Sequence, residues 1–570
     1  MKSQLQERIY IYGRFPMQRI LVVLLLQYVA ISVAAVDYDV LIRQGSIYDG
    51  TGAPPYVADI AIQEDRVVGI GDFSKNSAAL NIDATHLAVT PGFFNLLSHA
   101  HISLLTDGRA KSDILQGVTF EVLSEISFSP LSELAADYWA KRVAARGAKL
   151  SWTSLGEYLE TIEASGVAPN FATFVSAATV RMNVIGMDDI DPNPEQLTTM
   201  KAYVESAMQD GALGLTTALI YAPGAYAETE ELIELAKVAG RYGGIYTAHM
   251  RSEGNQLIEA IDETLRIGRE AQLPVKIHHL KAGGKPNWHK MDIALEKIET
   301  ARREGIPVTA DMYNYLAGAT GLDASMPPWV QAGGYKKWAE RLQNPEIRAR
   351  VKAEMASNAQ DWENLGYFAG PEKMHFSKFK NEQLKKYVGK TLAEVALERE
   401  QDPLDTIIDL VIEDGSRVET VYFLMTDENL EKQLQRPWVM FGSDAAAPAA
   451  EGKVLENKVH PRTYGNVARL LGHYVRDRQV ISLQEAIRKL TLLPATTLNI
   501  QKRGRLAPGY FADIAIFDPA TIQDVATYND PHQYAKGMVH VLVNGTPVVT
   551  NGVHTGATPG RAVRGPGWRK

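Results

Sequence analysis

Cysteine is absent from the 570 residues, which at once removes disulfides, thiolate zinc sites, iron–sulfur clusters and a cysteine nucleophile. A bound metal must then be held by His, Asp, Glu or a modified Lys. Long Lys/Arg runs are absent too. With 59 Lys+Arg against 67 Asp+Glu, a net charge of −8, the chain lacks the electrostatic footprint that neutralises phosphates, and no nucleic-acid partner is expected. Beyond the first 36 residues no apolar stretch approaches membrane-spanning length. What remains is a soluble composition, 45% hydrophobic and 22% charged, able to bury a large core. At about 150 residues per domain the length allows several domains or one large barrel with additions.

Residues 1–36 read as a secretory signal peptide rather than as part of the fold. Arg14 and Arg19 precede an apolar run from Ile20 to Val36, broken by Gln27 and Ser32 and ending in Ser32-Val33-Ala34-Ala35. A start at Met17 instead of Met1 gives the shorter, more conventional signal. An uncleaved anchor is the alternative, although about 17 apolar residues is marginal for crossing a bilayer. Cleavage implies a periplasmic or secreted protein without stable membrane association.

Short strand and turn signals then fill residues 37–90: Val40 to Arg43, Asp49-Gly50-Thr51-Gly52, Ala58 to Ile62 and Val67 to Ile70. Residues 501–570 look alike, with Ile514 to Phe517, Val541 to Val543, the Asn544-Gly545 turn and Val548-Val549. Two such segments flanking a long α/β middle are expected to pair as one small composite β domain.

In the middle, residues 91–500, eight strand-like runs alternate with helical stretches: Phe93 to Leu97, Val118 to Leu123, Phe171 to Ser176, Ala212 to Thr217, Gly244 to Ala248, Val275 to Ile277, Val308 to Ala310 and Trp438 to Phe441. Eight βα units imply an α/β fold of the (β/α)₈ TIM-like barrel type. Helices are expected over Gln256 to Ala271 and Met291 to Arg303, from apolar residues at helical spacing. The gap from about 321 to 436, between runs seven and eight, is too long for one helix and must hold an inserted subdomain, since structureless loops of that length are uncommon.

Potential metal ligands follow these runs: His99 and His101 the first, Glu125 the second, His249 the fifth, His279 the sixth and Asp444 the eighth. Barrel active sites lie at the C-terminal strand ends, so these side chains are expected to converge there. One such His alone is ordinarily structural; the repetition carries the argument.

From Asp37 onward the sequence resembles the N-acyl-D-amino-acid deacylases (D-aminoacylases) of the amidohydrolase superfamily. The resemblance rests on an ordered set: Asp49-Gly50-Thr51-Gly52, Pro91-Gly92-Phe93, Gln116-Gly117-Val118-Thr119, Gly211 to Thr217, His249-Met250-Arg251, Ile277-His278-His279-Leu280-Lys281, Gly442-Ser443-Asp444, His460-Pro461-Arg462 and Asp530-Pro531-His532. It implies a metal-dependent hydrolase, with one or two zinc ions per chain, that splits the amide of an N-acyl-D-amino acid into a carboxylate and a free D-amino acid. His249 and His279 match the family's tight metal ligands. Zinc lowers the pKa of water and polarises a carbonyl. Asp444 is then expected to accept the water proton and return it to the departing amine.

Two departures from the family pattern stand out. Glu125 lies where the family carries a metal-binding Cys, and is either a ligand or a solvated loop residue. Leu97 occupies the place of the first His of the usual H-x-H, so that His99 matches the second and His101 is extra; either a bulge turns both inward or His99 alone reaches the site. Arg251 and Arg462 are candidates for bidentate contact with a substrate carboxylate, or for pairing elsewhere. Tyr313 could donate to a developing oxyanion or pack the barrel mouth. His278, next to His279, points the other way by strand alternation and reads as structural. The rival readings are another amidohydrolase, a dipeptidase or cyclic-amide hydrolase on the same barrel, and a non-catalytic binding protein that has lost its metal.

Overall fold

In a computed structural model, residues 36–569 are described; the segment read as a signal peptide lies outside them up to residue 35. The fold is mixed α/β with parallel sheets. A three-stranded parallel sheet holds Phe93–Ser98, Val118–Leu123 and Asn170–Thr173. A six-stranded parallel sheet holds Val175–Ser176, Gly214–Ala218, Ile245–His249, Val275–Ile277, Val308–Met312 and Val439–Phe441, each beside its neighbour in that order. Phe174 alone separates the two sheets along the chain, and its amide donates to Leu123 O while Leu213 N donates to Thr173 O. At the other edge Asp444 N donates to Leu97 O and His99 N to Ala445 O, which joins the first strand to the last.

The strand readings agree to within a residue or two, and the third is split by one residue at Phe174. These strands are buried along almost their whole length, as expected of parallel strands with both faces covered. The covering helices owe their position to apolar spacing. Leu257–Ala271 buries Leu257, Ala260, Ile261, Thr264, Leu265, Gly268 and Ala271, a stripe at intervals of three and four, and Lys290–Arg303 buries Met291, Ala294, Leu295, Ile298 and Ala301.

Strands from both chain ends share one sheet. Ala88–Pro91 pairs antiparallel with Ile514–Phe517, joining Tyr38–Ile47 and its neighbours to Met538–Val543 and Thr546–Thr550. The last two are linked by Asn544-Gly545, both at positive φ (49° and 78°), the backbone a two-residue hairpin requires. The buried side chains of Asp513 and Asn544 both hydrogen-bond to Asn170 at the start of the third parallel strand, which fixes this sheet against the parallel strands.

Between the seventh and eighth parallel strands, Ala317–Gly321, Met374–Lys378 and Glu419–Phe423 form a separate antiparallel sheet. It packs with helices such as Tyr335–Gln343 and Pro403–Asp414 around a core of its own, including Trp338, Leu342, Phe376, Ile408 and Tyr422. Among the described residues no helix is long and apolar enough to cross a membrane.

Candidate active site

Two groups of potential ligands share one carboxylate at the C-terminal ends of the parallel strands. Glu125, His249 and His279 form the first; His99, Glu125 and Asp444 form the second. Glu125 Oε1 lies 2.8 Å from His279 Nε2 and 3.3 Å from His249 Nδ1, while its Oε2 lies 3.5 Å from His99 Nε2. His99 Nε2 is 2.9 Å from Asp444 Oδ1. Glu125 is only 5% exposed, so it is no solvated loop residue.

The chain delivers these groups by leaving the strands abruptly. Glu125, His279 and Asp444 all have positive φ (65°, 33° and 50°), a conformation that costs a non-glycine residue free energy and clusters at functional sites. For His279 the surroundings that hold it are clear: its amide donates to Asp311 Oδ1 at 2.8 Å. Asp311 in turn pairs with Lys276 and lies 3.2 Å from His278 Nδ1, all three fully buried. His278 therefore faces the strand interior, with Nε2 2.9 Å from Ser124 Oγ, and burial pushes its pKa down to about 4.

A second layer orients the ligands. Glu253, four residues after His249, places Oε1 2.8 Å from His279 Nδ1, so that this nitrogen faces Glu253 and Nε2 faces Glu125 and His249. Lys281 Nζ lies 2.6 Å from both Glu253 oxygens. Burial opposes the charged form of Glu253, but Lys281 and the two histidines outweigh it and hold the carboxyl below its ordinary range. Glu125 behaves alike: burial works against its charge, and the hydrogen bonds and charges of His249 and His279 drive its pKa well down. Sequence reasoning missed Glu253, whose signal is its place in the loop directly after the candidate ligand His249.

Asp444 sits between His99 and Arg462, whose Nη1 lies 2.8 Å from Asp444 Oδ2. Despite burial, Arg462 first and then the His99 hydrogen bond keep this carboxyl ionised far below the usual range. Arg462 is 3% exposed and stands 4.4 Å over the Tyr313 ring. The Tyr313 hydroxyl is buried with no hydrogen-bond partner among the described residues, and its ring lies 6.5 Å from that of His279.

Two candidates fall elsewhere. His101 belongs to neither donor group: its ring packs 5.3 Å from Phe128, and burial pushes its pKa down to about 3. The strand does carry an irregularity between Asn95 and Ser98, but it brings in His99 alone. Leu97 occupies the alternate position, fully buried and packed so tightly that a Cβ on Gly442 would lie 2.6 Å from its own. Arg251 is committed away from the ligands, its guanidinium bonded to Glu263 and to the Ala225 and Ala227 carbonyls.

The donor set suits a borderline cation. Two imidazole nitrogens and a carboxylate oxygen converge within 3.3 Å of one another in a buried space, where unshared lone pairs repel unless a cation or proton lies between them. Imidazole and carboxylate are zinc ligands.

Residues 432–549 match the amidohydrolase family. Over 530 residues, 92% of this chain and 97% of the relative, the sequence is 32% identical to a D-aminoacylase of Alcaligenes xylosoxydans xylosoxydans. A solved D-aminoacylase structure concerned with the functional role of a binuclear metal centre superposes with a TM-score of 0.77 at 30% identity, covering 92% of this chain and all of that one. The N-acyl-D-glutamate deacylase of Bordetella bronchiseptica, solved with zinc and a phosphonate mimic of the tetrahedral intermediate, gives 0.77 at 27% identity over 92% of this chain and 99% of that one.

Proposed function

The chain belongs to the D-aminoacylase family of amidohydrolases, and from that premise we propose that it hydrolyses the amide of N-acyl-D-amino acids to a carboxylate and a free D-amino acid. The observation that carries the reading is the buried convergence of Glu125, His249 and His279, with the ionised Asp444 beside it. On this reading the parallel strands are a closed (β/α)₈ barrel over 91–500, with an insertion at about 321–436 and a composite β domain from 37–90 and 501–570.

Glu125, His249 and His279 would hold one zinc, and His99 with Asp444 would complete a second place that shares Glu125. When bound, zinc supplies Lewis acidity, polarising the scissile carbonyl and acidifying water. The chain's own residues do the rest. Asp444, ionised at neutral pH, takes a proton from the attacking water and passes it to the amine nitrogen as the C–N bond breaks, because an amine is too basic to leave unprotonated. The Tyr313 hydroxyl, buried and without a partner, donates to the oxygen on which negative charge develops. Arg462, already fixed by Asp444, has an unpartnered Nε to offer a substrate carboxylate.

Purified protein offered matched D- and L-configured N-acyl amino acids is expected to release amine from the D series only. Hydrolysis confined to a dipeptide or cyclic amide would replace this reading by the rival amidohydrolases; release from neither, with no metal bound, would favour a binding protein. The protein is further proposed to be exported, its mature form beginning near Val36 or Asp37 in the periplasm or medium. Mass spectrometry of the exported protein should find that N-terminus, and an intact Met1 or Met17 would contradict cleavage.

A further inference from the structure

The inserted segment reaches the ligand-bearing loops through three contacts that the reaction does not use. Glu363, 6% exposed, accepts the backbone N–H of Glu253 at 3.1 Å through Oε2, while its Oε1 is buried and has no partner among the described residues. Asn255, two residues further along the same loop, donates its side-chain amide to Asn358 Oδ1 at 2.7 Å and to the Ala359 carbonyl. Phe368 fills the space left by two glycines on two different loops. A Cβ on Gly254, after the fifth parallel strand, would lie 2.6 Å from its ring, and one on Gly284, after the sixth, would lie 2.7 Å from its Cβ. Gly284 also has φ +84°, so a side chain there is excluded twice.

These loops are the ones that carry the ligands. The fifth strand ends in His249 and leads to Glu253; the sixth leads to His279 and Lys281. Glu253 is the carboxylate that faces His279 Nδ1 at 2.8 Å, so whatever holds the Glu253 backbone in place holds the orientation of His279.

Resting on the zinc reading above, we propose that Glu363 is a positioning residue through which seating of the inserted segment and metal binding at Glu125, His249 and His279 are thermodynamically coupled. A bound cation that fixes His279 and Glu253 favours the seated insertion, and by reciprocity the seated insertion favours the cation. The chemical state of Glu363 agrees. Burial first, and the charge of Glu253 second, push its pKa up to about 8, which favours the neutral acid, and a glutamine of the same shape should replace it. An alanine removes the acceptor and leaves the Glu253 amide buried without one.

Hydrogen exchange of the full-length protein, with zinc bound and after chelation, tests the coupling in the wild type, Glu363→Gln and Glu363→Ala. Expected is that zinc slows exchange of the 358–368 segment in the wild type and in Glu363→Gln. In Glu363→Ala that zinc-dependent protection should be lost and the zinc dissociation constant, measured against a competing chelator, should rise about 10-fold, the low end of what losing a direct hydrogen-bond partner of a ligand costs, because Glu363 acts through Glu253. Unchanged exchange of this segment on zinc removal from the wild type would overturn the proposal even if the alanine variant did not fold. So would a folded Glu363→Ala with wild-type affinity and protection, or a Glu363→Gln as impaired as the alanine variant. A wild type that binds no zinc at all would sink the metal reading itself, which the chelator titration reveals separately.

Discussion

Replacing Asp444 by Asn is expected to give a folded, zinc-loaded protein whose turnover of an N-acyl-D-amino acid falls by at least the ~100-fold typical of lost general acid–base catalysis. The substitution keeps the shape and removes the basic oxygen. Zinc at Glu125, His249 and His279 should remain, because Asp444 is not one of those three donors. A second equivalent that depends on His99 and Asp444 should weaken or disappear. The change also deprives Arg462, which is 3% exposed, of the carboxylate it pairs with, and breaking a buried pair from one side costs about 3–5 kcal/mol, so the melting temperature should drop while unfolding stays cooperative. Metal analysis and single-turnover rates on the same preparation decide the matter. Near-normal turnover would sink the mechanism, and loss of all zinc would recast Asp444 as a structural ligand.

His279→Ala should act on binding first. His279 Nε2 faces Glu125 at 2.8 Å and His249 Nδ1 at 2.9 Å, and its Nδ1 anchors Glu253, so the change deletes a donor and releases the residue that orients it. The zinc dissociation constant should rise by more than the roughly 10- to 100-fold typical of losing an outer-shell partner, with activity falling in proportion. Glu253, deprived of His279, keeps Lys281 as its partner, so the loop should survive and the protein should fold. Full zinc content and activity in this variant would falsify the assignment of the site.

Much of the site could be read along the chain because its donors follow strands whose spacing is a local property. The run Ile245–His249 ends on His249, and Val275–Ile277 is followed at once by His278 and His279; these two neighbours turn to different partners, His278 toward Asp311 and Ser124 and His279, at positive φ just past the strand end, toward Glu125. Absence of cysteine left His, carboxylate or a modified Lys as donors, and Glu125 and Asp444 were the carboxylates that follow strand runs. The Asn544-Gly545 hairpin was legible for the same reason, since two adjacent residues set its backbone.

Only the tertiary structure decided the rest. Which of His99 and His101 reaches the ligands depends on an irregular strand end and on Phe128 packing beside His101, neither of which a one-dimensional H-x-H spacing encodes. Arg251 follows the candidate ligand His249 by two residues yet turns to Glu263 and two carbonyls, because hydrogen-bond partners are chosen by proximity in space. Glu253 and Glu363 are 110 positions apart and meet across the seam between insertion and parallel strands. Periodicity and residue type are written locally and survive in the sequence; the pairing of distant loops is set by how whole layers pack, and no residue spacing records it.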